Sequence, residues 1–170
     1  MQERIADLGD VSQIMNVIRD AQEFLKEQGV DQWQDGFPDE ATIKDDIKYL
    51  QSYVFVEEDE IIGFMAINFG EEPSYQTIYD GAFQCNTKQY ATIHRTAINK
   101  KYRGKGLSIR MFFLAEQLAN KHEMDSIRMD THRNNQLMQH LAVKYGYEYC
   151  GVIKLERSNM ERIVYEKVLY

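Results

Sequence analysis

A short glycine-containing segment, residues 98–108, combines the residue types that bind phosphate groups. It reads Ile-Asn-Lys-Lys-Tyr-Arg-Gly-Lys-Gly-Leu-Ser and lies between a predicted strand and the strongest helical pattern in the chain. Glycines let the backbone approach a ligand closely and adopt positive φ. A helix N-terminus adds unpaired N–H groups and a partial positive charge. The segment therefore predicts a cradle for a phosphate or pyrophosphate group.

The distribution of charge favours an anion site in the same place. The formal net charge of −7 excludes a general nucleic-acid-binding protein. Residues 1–80 hold 19 acids and 5 bases, a net charge of −14, whereas residues 81–115 hold no acid at all. The bases in that acid-free stretch are Lys88, Arg95, Lys100, Lys101, Arg103, Lys105 and Arg110. This pattern predicts a local anion site, and the alternative is a solvated face that arose by chance.

Three families of glycine loop compete for residues 98–108. A P-loop needs Gly-x-x-x-x-Gly-Lys-Ser/Thr, and that spacing is absent. A dinucleotide-binding turn needs Gly-x-Gly-x-x-Gly, which Gly104 and Gly106 begin but Ile109 breaks at the third position. The third family, an acetyltransferase loop, needs Gln/Arg-x-x-Gly-x-Gly/Ala.

The residues Tyr-Arg-Gly-Lys-Gly-Leu after a strand and before a helix resemble the acetyl-CoA loop of the GNAT superfamily, the GCN5-related N-acetyltransferases. Two registers overlap: one starts at Arg103 and departs from the pattern at Ser108, and the other starts at Lys101 and departs there. We favour the first, because the helical pattern begins at Leu107. The resemblance implies that acetyl-CoA is bound by six consecutive residues, Arg103, Gly104, Lys105, Gly106, Leu107 and Ser108. It also implies that the backbone N–H groups from Gly104 to Ser108 face the pyrophosphate.

A second stretch makes the resemblance more specific. Asn135 precedes a helical pattern that closes on Gly146-Tyr147, and the family shows an asparagine, a helix and a glycine–aromatic pair in this order. The resemblance implies that Asn135 contacts the pantetheine arm and that the backbone of Ala97 and Ile98 pairs with its amides. It also implies an α/β fold in a single domain, residues 1–170, with a mixed sheet of six to seven strands flanked by about four helices.

Hydrophobic periodicity supplies the elements that such a fold needs. Alternation predicts strands over residues 53–57, 61–69 and 90–98, the first two joined by the turn Glu58-Asp59-Glu60. A stripe of apolar residues predicts a helix over 107–121, and similar patterns predict helices from Asp10, from Glu40 and over 134–145. Shorter strands are expected over 126–130, 147–150 and 162–169.

The residues for proton transfer are less specific. Many members of the family use a tyrosine four residues before the glycine, and Ala142 occupies that position. Tyr145 is the nearest alternative, although a buried core aromatic is the more common role for such a residue. His94 on the predicted central strand is our candidate general base, against a structural histidine as the alternative. The histidines and cysteines show no metal-ligand spacing, so no metal is expected.

The sequence leaves the acceptor open. Trp33 and Phe37 are expected to line its entrance, with a core anchor as the alternative role of Trp33. The acid-rich first 80 residues suit a cationic amine, against a solvated acidic face as the alternative. A primary amine of a small molecule is expected, and a protein N-terminus stays open. The rival interpretation is a non-catalytic sensor or regulatory domain that binds acetyl-CoA without turnover. No apolar run is long enough to cross a membrane, no secretory signal is recognisable, and the two cysteines suit reduced thiols, so a cytoplasmic protein is expected. A homodimer stays an open alternative.

Overall fold

The computed structural model describes all 170 residues, and its elements follow the predicted order. The strands are β1 (Gln2–Ile5), β2 (Ser52–Glu57), β3 (Glu60–Phe69), β4 (Tyr90–Ile98), β5 (Ser126–Thr131), β6 (Glu148–Lys154) and β7 (Glu161–Val168). The α-helices are α1 (Val11–Glu27), α2 (Glu40–Lys48), α3 (Leu107–Lys121) and α4 (Gln136–Lys144).

The seven strands form one mixed sheet in the order β1-β2-β3-β4-β5-β7-β6. The pairs β1–β2, β2–β3, β5–β7 and β6–β7 are antiparallel. By contrast, β4 and β5 run parallel, in a register that extends from Tyr90↔Ser126 to Ile93↔Met129. Seven strands and four α-helices confirm the predicted α/β fold.

The chain divides into two compact units, of which the first comprises residues 1–67 and 94–111. Its core is built by apolar side chains one helical turn apart, such as Ile14 and Ile18 on α1 and Ile43 and Ile47 on α2. They pack with Val54 and Phe64 from the strands β2 and β3, both fully buried. The amphipathic patterns of the sequence therefore form this core.

The second unit comprises residues 68–93 and 112–170. A core cluster of Tyr75, Tyr90, Cys150, Ile153 and Val164 joins the segment between β3 and β4 to β6 and β7. An isolated bridge between Tyr79 and Val152 attaches the same segment to β6. The long connection between β3 and β4 is thus an ordered part of this unit.

A buried ion pair holds that connection in place. Arg128 Nε donates to Glu166 Oε1 at 2.9 Å, and the backbone N–H groups of Gln84 and Cys85 donate to the other carboxylate oxygen at 2.6 and 3.1 Å. Arg128 Nη2 donates to the carbonyl oxygen of Cys85 at 2.7 Å, and its guanidinium lies 3.6 Å from the ring centroid of Phe83. Each buried charge is therefore compensated by hydrogen bonds, as burial requires.

Two predicted helix starts differ from the structure in their capping. Asp10 precedes α1 but makes no side-chain capping bond. Its carboxylate accepts instead from the Arg4 guanidinium at 2.7 and 2.9 Å and from the backbone N–H of Asp7 at 2.9 Å. The last helix begins at Gln136 rather than at residue 134, because Asn135 acts as its N-cap.

Candidate functional site

The loop between β4 and α3 is shaped first by Asn99. Its backbone N–H donates to the carbonyl of Ile62 at 2.9 Å, and its side-chain Oδ1 accepts from the N–H of Lys101 at 2.9 Å. The N–H of Tyr102 donates to the Asn99 carbonyl at 2.8 Å and closes a single 3₁₀ turn. The loop therefore leaves the strand in a fixed direction.

Two glycines in this loop have left-handed backbones. Gly104 has φ +74° and Gly106 has φ +81°, and a Cβ atom built on either would meet nothing within 4 Å. The requirement for glycine is therefore conformational, and the loop surface is open. The backbone N–H groups of residues 104–108 have no acceptor within the protein, while that of Ile109 donates back to Gly106 O at 3.2 Å. This row of N–H groups leads into the N-terminus of α3, where the helix dipole is positive. Such an arrangement suits a phosphate ligand.

The start of α3 is seated close to the sheet by Gly63 on β3. A Cβ atom at Gly63 would lie 2.7 Å from Met111 Cε, 2.9 Å from Leu107 Cδ2 and 3.5 Å from the Ala97 carbonyl oxygen. A larger residue would thus require the ends of the Met111 and Leu107 side chains to move. Sequence reasoning missed this position, although an isolated glycine inside a strand pattern often marks such a close approach.

Arg103 anchors the loop to α1. Its Nη2 donates to the backbone carbonyl of Asp20 at 2.6 Å, and its guanidinium lies 4.4 Å from the ring centroid of Phe24. The Asp20 carboxylate accepts from the backbone N–H of Lys100 at 3.1 Å. The side chain of Arg103 therefore positions the loop, and its contacts differ from those of the cofactor ligand that the resemblance implies.

The basic stretch is largely neutralised by acids from distant parts of the chain. Its ion pairs are Lys88–Glu71 (3.3 Å), Arg95–Asp46 (2.5 Å), Lys100–Asp20 (4.0 Å), Lys101–Glu60 (3.9 Å) and Arg110–Glu3 (2.7 Å). Lys105 has no acidic partner, and its Nζ lies 4.9 Å from the centroid of the Tyr102 ring. An anion at this loop would therefore meet backbone N–H groups and one uncompensated lysine.

The two candidate catalytic residues have different surroundings. His94 is half-buried on β4. Tyr145 follows α4, and its ring lies 4.6 Å from that of Phe112, centroid to centroid. The Tyr145 carbonyl accepts from Lys167 Nζ at 3.0 Å, and Ala142 is fully buried. Tyr145 is therefore a half-buried aromatic that packs against Phe112.

The second motif forms the two ends of α4. The side-chain Oδ1 of Asn135 accepts from the backbone N–H of Met138 at 3.3 Å. Gly146 ends the helix with φ +89°. Tyr147 is 1% exposed, and burial raises the pKa of its phenol, so the group stays protonated. The order of asparagine, helix, glycine and aromatic therefore has a structural basis in capping and packing.

The predicted acceptor-side aromatics lie in the first unit. Trp33 is partly buried against its core. The Phe37 ring lies 5.8 Å from the guanidinium of Arg95, which is held by the Asp46 carboxylate at 2.5 and 2.9 Å. Trp33 is thus chiefly a core contact, whereas Phe37 borders a buried ion pair.

No three His, Cys, Asp or Glu side chains are grouped as a metal site would require. None of the α-helices combines the length and the apolar character needed to cross a bilayer.

A comparison with models of protein families matches residues 18–147 to the acetyltransferase (GNAT) family. The chain belongs to this family. A solved GNAT-family acetyltransferase from Streptococcus agalactiae is 34% identical, with a TM-score of 0.87, over 99% of this chain and 95% of that one. A GNAT-family acetyltransferase from Listeria monocytogenes is 23% identical, with a TM-score of 0.76, over 99% and 94% of the two chains.

The likeness extends to a GNAT structure with a bound ligand. The PaiA N-acetyltransferase from Thermoplasma acidophilum, solved in complex with coenzyme A, is 16% identical, with a TM-score of 0.72, over 99% of this chain and 98% of that one. At that identity the likeness concerns the fold. No curated protein sequence matches the chain. The predicted GNAT membership is confirmed by the family match and by the Streptococcus relative.

Proposed function

We propose that this GNAT protein transfers an acetyl group from acetyl-CoA to a primary amine of a small molecule. The observation that carries the proposal is the row of backbone N–H groups at residues 104–108, which have no acceptor within the protein. A dinucleotide such as NAD also contains a pyrophosphate that these N–H groups could bind. Membership of the GNAT family favours coenzyme A over a dinucleotide.

The residues of the loop fit the pyrophosphate of acetyl-CoA. Left-handed glycines leave the surface open, α3 presents its N-terminus, and Lys105 supplies a charge that no acid of the protein neutralises. We further propose that the backbone of Ala97 and Ile98 pairs with the pantetheine amides. Leu107 and Ser108 contribute through their N–H groups, and Arg103 contributes by fixing the loop.

The chemistry follows from the thioester that acetyl-CoA supplies. The amine nitrogen forms a bond to the carbonyl carbon, the carbon–sulfur bond breaks, and coenzyme A leaves as a thiolate. The protein contributes proximity, and a backbone N–H polarises the carbonyl. We propose that His94 takes the proton from the attacking amine. Ala142 has no hydroxyl to protonate the thiolate, so the thiolate leaves without help from that position.

A second candidate function is a sensor that binds acetyl-CoA without turnover. The observation in its favour is Ala142, which is fully buried and replaces the tyrosine that many family members use. A sensor needs the loop but no proton transfer, so it would bind acetyl-CoA and acetylate nothing.

Incubation of the purified protein with acetyl-CoA and a panel of primary amines separates the two functions. We expect free coenzyme A to appear only when an amine is present, together with an acetylated amine identified by mass spectrometry. Tight binding of acetyl-CoA without acetylation of any amine would favour the sensor.

A further inference from the structure

One flank of α1 carries an acid, Asp20, and an aromatic ring, Phe24, that both contact the loop between β4 and α3. The two residues are four positions apart, so their side chains lie on the same side of the helix. The buried apolar stripe of Ile14, Ile18 and Leu25 lies beside this flank, about a quarter to half a turn around the helix axis. The flank is therefore not needed for core packing, and its contacts are free to serve the loop. All of these residues belong to the first unit.

Asp20 holds the beginning of the loop through its carboxylate. Its Oδ2 accepts from the backbone N–H of Lys100 at 3.1 Å, and its Oδ1 lies 4.0 Å from Lys100 Nζ. The Lys100 side chain is 62% exposed, so this ion pair is weak. A carboxylate that accepts from a backbone N–H makes a stronger contact, because the acceptor is charged. Asp20 therefore acts on the loop chiefly as a hydrogen-bond acceptor.

This hydrogen bond ties the backbone at the start of the loop, residues 99–102, to α1. The other three N–H groups of these residues donate to the Ile62 carbonyl on β3 or to Asn99 itself, at 2.8 to 2.9 Å. The row of N–H groups without an acceptor, residues 104–108, begins two residues later. Loss of the Asp20 carboxylate would therefore free the backbone just before the groups proposed to bind the pyrophosphate.

Arg103 makes the second contact between the loop and α1. Its Nη2 donates to the backbone carbonyl of Asp20 at 2.6 Å, and its guanidinium lies 4.4 Å from the ring centroid of Phe24. A guanidinium over an aromatic ring is a favourable cation–π arrangement. The loop is thus tied to one turn of α1 at two points, three residues apart.

These two contacts matter because the rest of the loop is flexible by composition. Gly104 and Gly106 have left-handed backbones, and a Cβ atom on either would meet nothing within 4 Å. Glycine loses more conformational freedom than any other residue when it is ordered. A loop that is already held in its bound geometry loses less entropy when a ligand binds. The contacts with α1 should therefore raise the affinity for a ligand of the loop.

We infer that Asp20 is a positioning residue of the acetyl-CoA site, which acts by holding the loop rather than by contacting the ligand. The inference rests on the proposed function, since it assumes that the loop binds acetyl-CoA. It predicts the opposite of what charge alone predicts. Removal of an acid beside an anion site also frees Lys100 Nζ, so electrostatics alone would tighten the binding of acetyl-CoA. Loss of positioning would weaken it.

Calorimetric titration with acetyl-CoA, at a temperature where every variant is folded, tests the sign of this effect. We expect Asp20→Ala to raise the Kd about 3- to 10-fold, the range for one lost hydrogen bond. Asp20→Asn keeps an oxygen that accepts from the Lys100 N–H, so it should recover most of the affinity. The matched control is Glu23→Gln, which removes an exposed acid within one turn of Asp20 on the same helix. Its Kd should stay unchanged or fall.

Hydrogen–deuterium exchange over residues 98–108 measures the order of the loop without a ligand. Asp20→Ala should speed exchange there, whereas Glu23→Gln should not, because a backbone segment that loses a contact opens more often. If Asp20→Ala fails to fold, Phe24→Leu replaces it in both measurements. That variant removes the ring next to the Arg103 guanidinium and should also raise the Kd and speed exchange.

The two measurements separate this inference from the proposed function. An unchanged or lower Kd in Asp20→Ala, or exchange over residues 98–108 no faster than in the wild type, would overturn the inference and leave the acetyltransferase proposal intact. If the wild type binds no acetyl-CoA but Asp20→Ala speeds exchange, the proposed function fails while the role of Asp20 in holding the loop stands.

Discussion

At the scale of single residues, the proposed acetyl-CoA site depends on Gly106. A glutamate there would place a negative charge beside the unpaired N–H groups and would force a side chain into a left-handed backbone. We predict that Gly106→Glu abolishes the thermal stabilisation by acetyl-CoA. Gly36→Glu is the matched control, since Gly36 also has a left-handed φ (+85°) and open space around its Cβ position. Equal stabilisation of both variants by acetyl-CoA would remove Gly106 from the site.

Lys105 provides a second test at the residue scale. Neither Lys105 nor Arg103 has an acidic partner, but the Arg103 guanidinium is held by the Asp20 carbonyl. The charge of Lys105 therefore remains available to a phosphate. We predict that Lys105→Ala raises the Kd for acetyl-CoA by about 3- to 10-fold and weakens its dependence on salt. Lys101→Ala should change the Kd less, because Glu60 lies 3.9 Å from Lys101. Calorimetry at two salt concentrations measures both effects, and a larger effect of Lys101→Ala would contradict this assignment.

The sequence predicted these loop residues but not the state of their charges. Gly104 and Gly106 are recognisable because a glycine turn between a strand and a helix is a local pattern. The pairing of Lys100 with Asp20 joins residues 80 positions apart, so no local pattern reveals it. The acid-free stretch therefore looked more positive in the sequence than it is in the fold.

At the scale of elements, the buried pair of Arg128 and Glu166 fixes the connection between β3 and β4. Glu166→Gln would place an amide NH₂ or a weaker acceptor opposite four donors and leave Arg128 buried without a counter-charge. We predict a loss of about 3 kcal/mol in the free energy of unfolding. Denaturant titration measures it, with the exposed Glu123→Gln as the control. A loss of less than about 1 kcal/mol would contradict the structural role of the pair.

The elements themselves were largely predictable. The strand Tyr90–Ile98 and the helix Leu107–Lys121 have the predicted bounds, because alternation and an apolar stripe are strong local signals. The strand predicted over 147–150 extends to Lys154, since its pairing with β7 continues through a bulge after Tyr149. Such pairing depends on a strand that comes later in the chain.

The seating of α3 by Gly63 was not predictable for a related reason. The glycine stands in an apolar strand, and only the packed fold shows Leu107 and Met111 against it.

At the scale of the whole molecule, a buried thiol and buried phenols make the free energy of unfolding depend on pH in the alkaline range. Burial raises the pKa of the Cys150 thiol from an ordinary value of 9.0 to about 11. Between these values the folded state holds the proton more tightly than the unfolded state, so stability falls as pH rises from about 9 to about 11 and is unaffected below. Burial raises the pKa of Tyr75 in the same direction.

Cys150→Ala should therefore flatten part of the alkaline slope. We predict that the wild type melts at a higher temperature than the variant at neutral pH and that the difference shrinks toward pH 11. Only the wild type has the thiol, which ionises more readily in the unfolded state at high pH. The slope that remains in the variant belongs to the buried tyrosines. Parallel curves from pH 8 to 11 would show that the Cys150 thiol does not contribute.

The assignment of residues 104–108 to acetyl-CoA binding is tested by thermal unfolding of the wild-type protein in the presence of ligands. A ligand that binds only the folded state raises the melting temperature by mass action. The measurement compares acetyl-CoA, free coenzyme A and NAD at equal concentrations. We predict a clear rise with both coenzyme A species and none with NAD. A rise with NAD alone, or no rise with any of the three, would contradict the assignment of the loop.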